Sequence, residues 1–176
     1  MDSAEYERKT AARFASFDQD GNGYIDREDF SAAAAAILAE FDTTARCDKG
    51  QALYSGAEAF WQGMAGIADV DGDQRVTRGE FVTGAVKRLR DNPERFAEIA
   101  RPFLHAAIEI AAASDGGDEG VTVGAATRLL RVLGADQEAA ERVATALDAD
   151  GDGIITESET LSAFAVYYTV DGPDTQ

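Results

Sequence analysis

Apolar residues recur at helical spacing along most of the chain, and short acidic, glycine-bearing stretches interrupt them. Phe14 and Phe17 stand three apart on one face of a predicted helix at 11–17. Ile110 and Ala113 precede the stretch 114–125, and Leu129, Leu130 and Leu133 follow it, again at helical spacing. The alanine run 32–36 reads as a helix segment that permits close packing. Helix ends are also marked. Asn92 with Pro93 suits a cap and first turn, Gly134 followed by Asp136 suits a stop and a restart, and Pro102 is predicted to break or kink its helix. The pattern predicts an all-α fold of eight main helices, with an extra short helix at 93–100.

One pattern repeats between these helices: DQDGNGYIDRED from Asp18, DVDGDQRVTRGE from Asp69 and DADGDGIITESE from Asp148. A fourth copy, SDGGDEGVTVGA at 114–125, keeps the shape but loses the acids, with Val121 and Thr122 in the register of Val76 and Thr77. Asp26, Thr77 and Thr156 each sit three residues before an acid (Asp29, Glu80 and Glu159), which is capping-box spacing. Each unit therefore reads as helix, twelve-residue loop, helix. The apolar eighth positions are expected to pair the loops by short antiparallel ladders, Ile25 with Val76 and Val121 with Ile155. That pairing gives the acid-poor loop a bracing role.

Composition narrows the chemistry. Thirty-three Asp plus Glu against sixteen Lys plus Arg give a net charge of −17, which argues against a nucleic-acid partner. An apolar content of 45% supplies a core, so the acidity does not imply disorder. A single cysteine, Cys47, excludes an intrachain disulfide, and a single histidine, His105, excludes a site needing two imidazoles. Residues 1–10 lack the apolar segment of a signal peptide, and the longest apolar run, 32–39, is far short of a membrane span, so a cytoplasmic protein without a membrane partner is expected. Phe60 and Trp61 read as core aromatics, His105 as a packed or half-exposed helix residue, and Cys47 as incidental. No arrangement of nucleophile, base and orienting group is visible, so no enzymatic activity is expected.

Oxygen donors at alternate loop positions suit a hard cation such as Ca2+, which takes six to eight oxygens at about 2.3–2.6 Å. The first loop offers Asp18, Asp20, Asn22, the Tyr24 carbonyl, Asp26 directly or through water, and Asp29. The second offers Asp69, Asp71, Asp73, the Arg75 carbonyl, Thr77 and Glu80. The last offers Asp148, Asp150, Asp152, the Ile154 carbonyl, Thr156 and Glu159. Ser114, Gly116 and Ala125 replace acids in the third loop, which is expected to hold no ion. Asp29 is one methylene shorter than the usual Glu, so the first loop must contract, and Mg2+ becomes a plausible competitor there. Gln74 occupies the turn position that glycine normally takes with positive φ, at a cost of roughly 1–2 kcal/mol.

These residues resemble the EF-hand family, whose DxDxDG run with a terminal Glu is matched in full at 148–159. The spacing of the loops, the chain length and the one degenerate loop resemble sarcoplasmic calcium-binding proteins and their bacterial relatives of the calerythrin type, over nearly the whole chain. An alanine-rich, arginine-over-lysine composition is compatible with a bacterial source. The resemblance implies two paired lobes, 1–91 and 92–176, packed into one compact domain, with three calcium-loaded loops.

Only Met1 and Met64 are present, whereas partner grooves that open on ion binding are often Met-rich. A monomeric calcium buffer or transporter is therefore the expectation. The alternative is a calcium-dependent regulator that binds a protein partner through an apolar groove. A single histidine argues against the photoprotein branch of similar four-unit proteins. Four carboxylates about 5 Å apart repel by roughly 5–20 kcal/mol per loop, which rivals a total stability of ~5–15 kcal/mol, so the metal-free chain is expected to be loosened.

Overall fold

Helix-forming runs alternating with acidic loops produce eight helical runs in the computed structural model, which describes residues 3–117 and 119–168. They are Ser3–Phe17, Arg27–Glu40, Asp48–Ala68, a run at 78–91, Pro93–Ser114, Val123–Val132, Gln137–Leu147 and Glu157–Tyr168. Residues 81–86 within the fourth run widen into a π-helical turn. Asp118 and the end of the second expected lobe, 169–176, lie outside the described residues.

Side-chain caps set where the helices begin. Asp26 and Thr77 each complete a capping box, with Asp29 and Glu80 respectively. Asn92 accepts from the Arg95 N–H just ahead of Pro93, and Asp136 accepts from Ala139. Caps of this kind contribute about 1 kcal/mol each. Gly134, at φ 102°, ends the preceding helix in a conformation that costs a glycine little. Cys47 is not incidental: it caps Asp48–Ala68, its Sγ accepting from Gly50 N at 3.4 Å, and this bond is the main influence lowering its thiol pKa.

Four two-residue strands form two antiparallel pairs, β1 (Tyr24–Ile25) with β2 (Val76–Thr77) and β3 (Val121–Thr122) with β4 (Ile154–Ile155). Ile25 lies opposite Val76 and Val121 opposite Ile155, in the register read from the eighth loop positions. All four side chains are buried, so each ladder is the roof of the core as well as a link between loops.

Below the ladders, aromatic rings join the two halves of the chain. Phe17 meets Phe60 edge-on at 5.7 Å, Phe60 meets Phe96 at 5.9 Å and Phe164 at 6.0 Å, and Phe96 stacks on Phe164 at 5.5 Å. Trp61 is buried beside Phe30, at 6.1 Å, as a core aromatic. Its indole N–H and the Thr10 hydroxyl are buried with no hydrogen-bond partner among the described residues. Each such orphan costs about 1–3 kcal/mol, which the surrounding apolar burial must outweigh. No helix among the described residues is long and apolar enough to cross a membrane.

Pro102 does not break its helix. Pro93–Ser114 runs through it, and the short helix expected at 93–100 is simply its first turns. Packing explains the difference. Phe96, Ala100, Phe103 and Ala107 bury this helix on both sides of the exposed proline. Each buried phenylalanine contributes roughly 1.5–3 kcal/mol, against ~3 kcal/mol for an internal proline. The partner helix Asp48–Ala68 approaches closely because it presents glycines: a Cβ on Gly56 would lie 2.7 Å from the Phe103 backbone, and one on Gly63 2.2 Å from Ile99 Cγ2.

Gly56→Ala should therefore lower the melting temperature, with an overpacking cost of about 1–3 kcal/mol exceeding the ~1 kcal/mol gain in helix propensity. Gly66→Ala, on the same helix but with open space at its Cβ, should raise it. Equal stabilisation by both substitutions would show that the crossing is not tight.

Candidate metal centre

A twelve-residue loop between two anchored helix ends turns its alternate side chains inward. In the first loop Asp18 accepts from Asn22 N (3.1 Å) and Gly23 N (3.0 Å), Asp20 accepts from Asn22 N (2.9 Å), and Asn22 Oδ1 accepts from Tyr24 N (2.8 Å). The second loop repeats the scheme. Asp69 accepts from Gly72 N (2.8 Å) and Gln74 N (3.1 Å), Asp71 from Asp73 N (3.2 Å) and Asp73 from Arg75 N (2.8 Å). In the last loop Asp148 accepts from Asp152 N (3.0 Å) and Gly153 N (2.9 Å), Asp150 from Asp152 N (3.1 Å), and Asp152 from Ile154 N (2.8 Å).

The twelfth residue closes each loop by the same pair of bonds, one of them the capping-box bond expected from the spacing and the other, to the start of the loop, not anticipated by it. One carboxylate oxygen accepts from the N–H of the second loop residue: Gln19 to Asp29 at 2.9 Å, Val70 to Glu80 at 3.1 Å, Ala149 to Glu159 at 3.0 Å. The other accepts from the ninth residue, Asp26, Thr77 or Thr156, at 2.9 Å in each case. Thr77 and Thr156 add their hydroxyls, which donate to Glu80 and Glu159 at 2.8 and 2.9 Å. These bonds, the Thr77 and Thr156 backbone N–H groups foremost, lower the pKa of Glu80 and Glu159. The shorter Asp29 reaches the same donors only by sinking into the protein, to 2% exposure. Burial then outweighs its backbone bonds and raises its pKa.

Three groups of carboxylates result, each with one oxygen per residue within 4.8 Å of the others: Asp18, Asp20 and Asp29; Asp69, Asp71 and Asp73; Asp148, Asp150 and Glu159. Asp29 thus joins its cluster despite the missing methylene. Glu80 stays outside the second cluster, and Asp152 outside the last. The Tyr24, Arg75 and Ile154 residues occupy the seventh positions within or beside the strands, and Asp26 faces the first helix turn, accepting from Glu28 N at 2.9 Å. Gln74 adopts φ 68°, the left-handed conformation anticipated for it.

The third loop is braced without an acid cage. Thr122 donates its hydroxyl to Asp115, and Ala125 N donates back to Thr122 Oγ1 at 3.1 Å. Among the described residues, no group of three potential ligands falls in this loop. Gly120 lies so close to β4 that a Cβ would sit 2.6 Å from the Ile155 carbonyl.

A family model described as EF hand matches residues 11–33. A Streptomyces coelicolor calcium-binding protein, whose structure is described as the basis for prokaryotic calcium-mediated regulation, is 63% identical. The alignment covers 95% of this chain and 99% of that one, with a TM-score of 0.91. The chain belongs to the EF-hand calcium-binding protein family. Its EF-hand scaffold also matches calcium-loaded apo-aequorin from Aequorea victoria (TM-score 0.71, 15% identity, 99% and 96% covered). It matches a sarcoplasmic calcium-binding protein from amphioxus as well (TM-score 0.67, 15% identity, 99% and 95% covered). These two share the EF-hand fold. The Streptomyces relative agrees with a bacterial source, with which the composition is compatible. No curated protein sequence matches the chain.

Gln74→Gly should relieve the strained turn of the second EF-hand and raise stability by about 1 kcal/mol, or ~2–4 °C in melting temperature. An unchanged or lower melting point would mean that the side chain of Gln74 compensates its backbone.

Proposed function

We propose that the protein binds Ca2+ at three EF-hands and uses the third loop as a structural brace. The observation that carries this reading is the set of three clustered carboxylate groups. Their donors are oxygens alone, which fits a hard cation rather than zinc or copper. Asp18, Asp20, Asn22, Asp26 and Asp29 would hold the first ion with the Tyr24 carbonyl. Asp69, Asp71, Asp73, Thr77 and Glu80 would hold the second with the Arg75 carbonyl, and Asp148, Asp150, Asp152, Thr156 and Glu159 the last with the Ile154 carbonyl. In the second loop, Glu80 would turn from Thr77 and Val70 toward the ion.

Charge supplies the driving force. Three carboxylates about 5 Å apart form three repelling pairs, each costing ~1 kcal/mol in water and ~3 kcal/mol at an effective dielectric of 20. A divalent cation removes that repulsion, so binding stabilises the fold by linkage. The shorter Asp29 requires the first loop to contract around an ion, which supports Mg2+ as a competitor there.

On biological role, the aromatic cluster shared by both halves supports a closed protein that buffers or carries Ca2+. A second reading is favoured by the Streptomyces coelicolor relative, described in terms of calcium-mediated regulation: a regulator acting on a partner. An apolar dye separates them. Fluorescence that rises on adding Ca2+ favours the regulator, and quenching as the chain closes favours the buffer.

Titration calorimetry should give three Ca2+ per chain. Glu159→Gln, which removes one charge from the last cluster, should reduce this to two and lower the melting point of the calcium-treated protein. Full stoichiometry in that variant would refute the ligand assignment.

A further inference from the structure

The connection between the two halves carries a charge opposite to that of the chain. Lys87, Arg88, Arg90 and Arg95 stand there against Asp91 and Glu94, in a protein of net charge −17. A cleft of about 210 Å³ opens between the end of Asp48–Ala68, the end of the run 78–91 and the first turns of Pro93–Ser114. Its floor is apolar: Phe96 is buried, and Ile67 and Ile99 are half-buried against the core. The exposed Arg88 and Arg95 form its rim. The acid beside them, Asp91, pairs with Arg90 at 3.5 Å, and neither Arg88 nor Arg95 has an ion-pair partner among the described residues.

We propose that this cleft docks an acidic segment of a partner protein, which inserts one apolar side chain between Ile67 and Ile99 and sets carboxylates against Arg88 and Arg95. Two features select this occupant. Guanidinium groups pair with carboxylates through two parallel bonds, and here two of them flank one apolar slot. The cleft, at about 210 Å³, takes about one bulky side chain and offers a membrane too little apolar surface to enter, while a nucleic acid would bring a charge at every phosphate against a chain of net charge −17. A second copy of the chain would bring its whole net charge of −17 with it, whereas a short acidic segment brings only the carboxylates that meet the arginines. The site uses side chains outside the acidic loops, so it stands independently of the calcium reading. Two of its walls belong to the helices that flank the second loop and the third to Pro93–Ser114; Gly84 lets the first two close up, since a Cβ there would lie 2.7 Å from the Ile67 carbonyl.

The test is fluorescence anisotropy on the full chain in calcium-containing buffer. The probe is a labelled peptide with a Leu-Phe pair flanked on each side by two glutamates. We expect saturable binding, at least tenfold weaker when the glutamates are replaced by lysines or the Leu-Phe pair by serines. The double variant Arg88→Glu, Arg95→Glu should weaken binding at least tenfold while keeping its melting temperature, because both side chains are exposed. On binding, methyl shifts in the NMR spectrum should concentrate at Ile67 and Ile99. Equal binding of the lysine peptide, undiminished affinity in the double variant, shifts centred elsewhere, or preference for anionic vesicles or single-stranded DNA would each overturn the proposal.

Discussion

Crowded negative charge is the constraint around which the rest of the molecule is arranged. Three loops each bring carboxylate oxygens within 4.8 Å of one another, and such groups repel unless something positive stands between them. Part of the answer is built into the chain. Backbone N–H groups of each loop point at the carboxylates, and the twelfth residue ties the beginning of its loop to the start of the following helix. These bonds give each of the three loops its cage-like shape. They act on the acids unequally, stabilising the charged form of Glu80 and Glu159 while burial works against that of Asp29.

Geometry at the loops would be of little use if the helices beside them were free to swing. Here the helices are tied at several levels. The ladders place Ile25, Val76, Val121 and Ile155 in the roof of the core, and the phenylalanine cluster fastens one half to the other. At the surface, Arg128 spans from the third unit to the first: it bonds the Glu40 carboxylate at 2.8 Å and the Glu40 carbonyl at 3.0 Å, and stacks over Phe41 at 4.5 Å. Glu157, at the start of the last helix, receives Arg101 at 2.8 Å and meets His105 at 2.6 Å. Exposed pairs of this sort are worth little individually. Their role is to fix orientation between units already packed by apolar contact. The degenerate third unit belongs to this scheme, since its loop supplies a strand and its outgoing helix supplies Arg128.

How much of this could be read in advance follows from the range of each interaction. The loops, their pairing register, the strained turn at Gln74 and the caps at Asp26, Thr77, Asn92 and Asp136 are local. Each depends on residues within a dozen positions, or on a fixed offset between two copies of one repeat, so the sequence determined them, and with them the all-α family of four paired units. What it could not determine depends on neighbours distant in the chain. Pro102 remains helical because Phe96 and Phe103 are held in a core built by other helices. Asp29 is buried and Arg128 finds Glu40 because the tertiary structure decides which surfaces meet; the Cys47 cap is local, but cysteine is not among the residues that favour that position. Local propensities of about 1 kcal/mol settle where an element begins and ends; burial of aromatic side chains, worth several times more, settles which of those preferences is overruled.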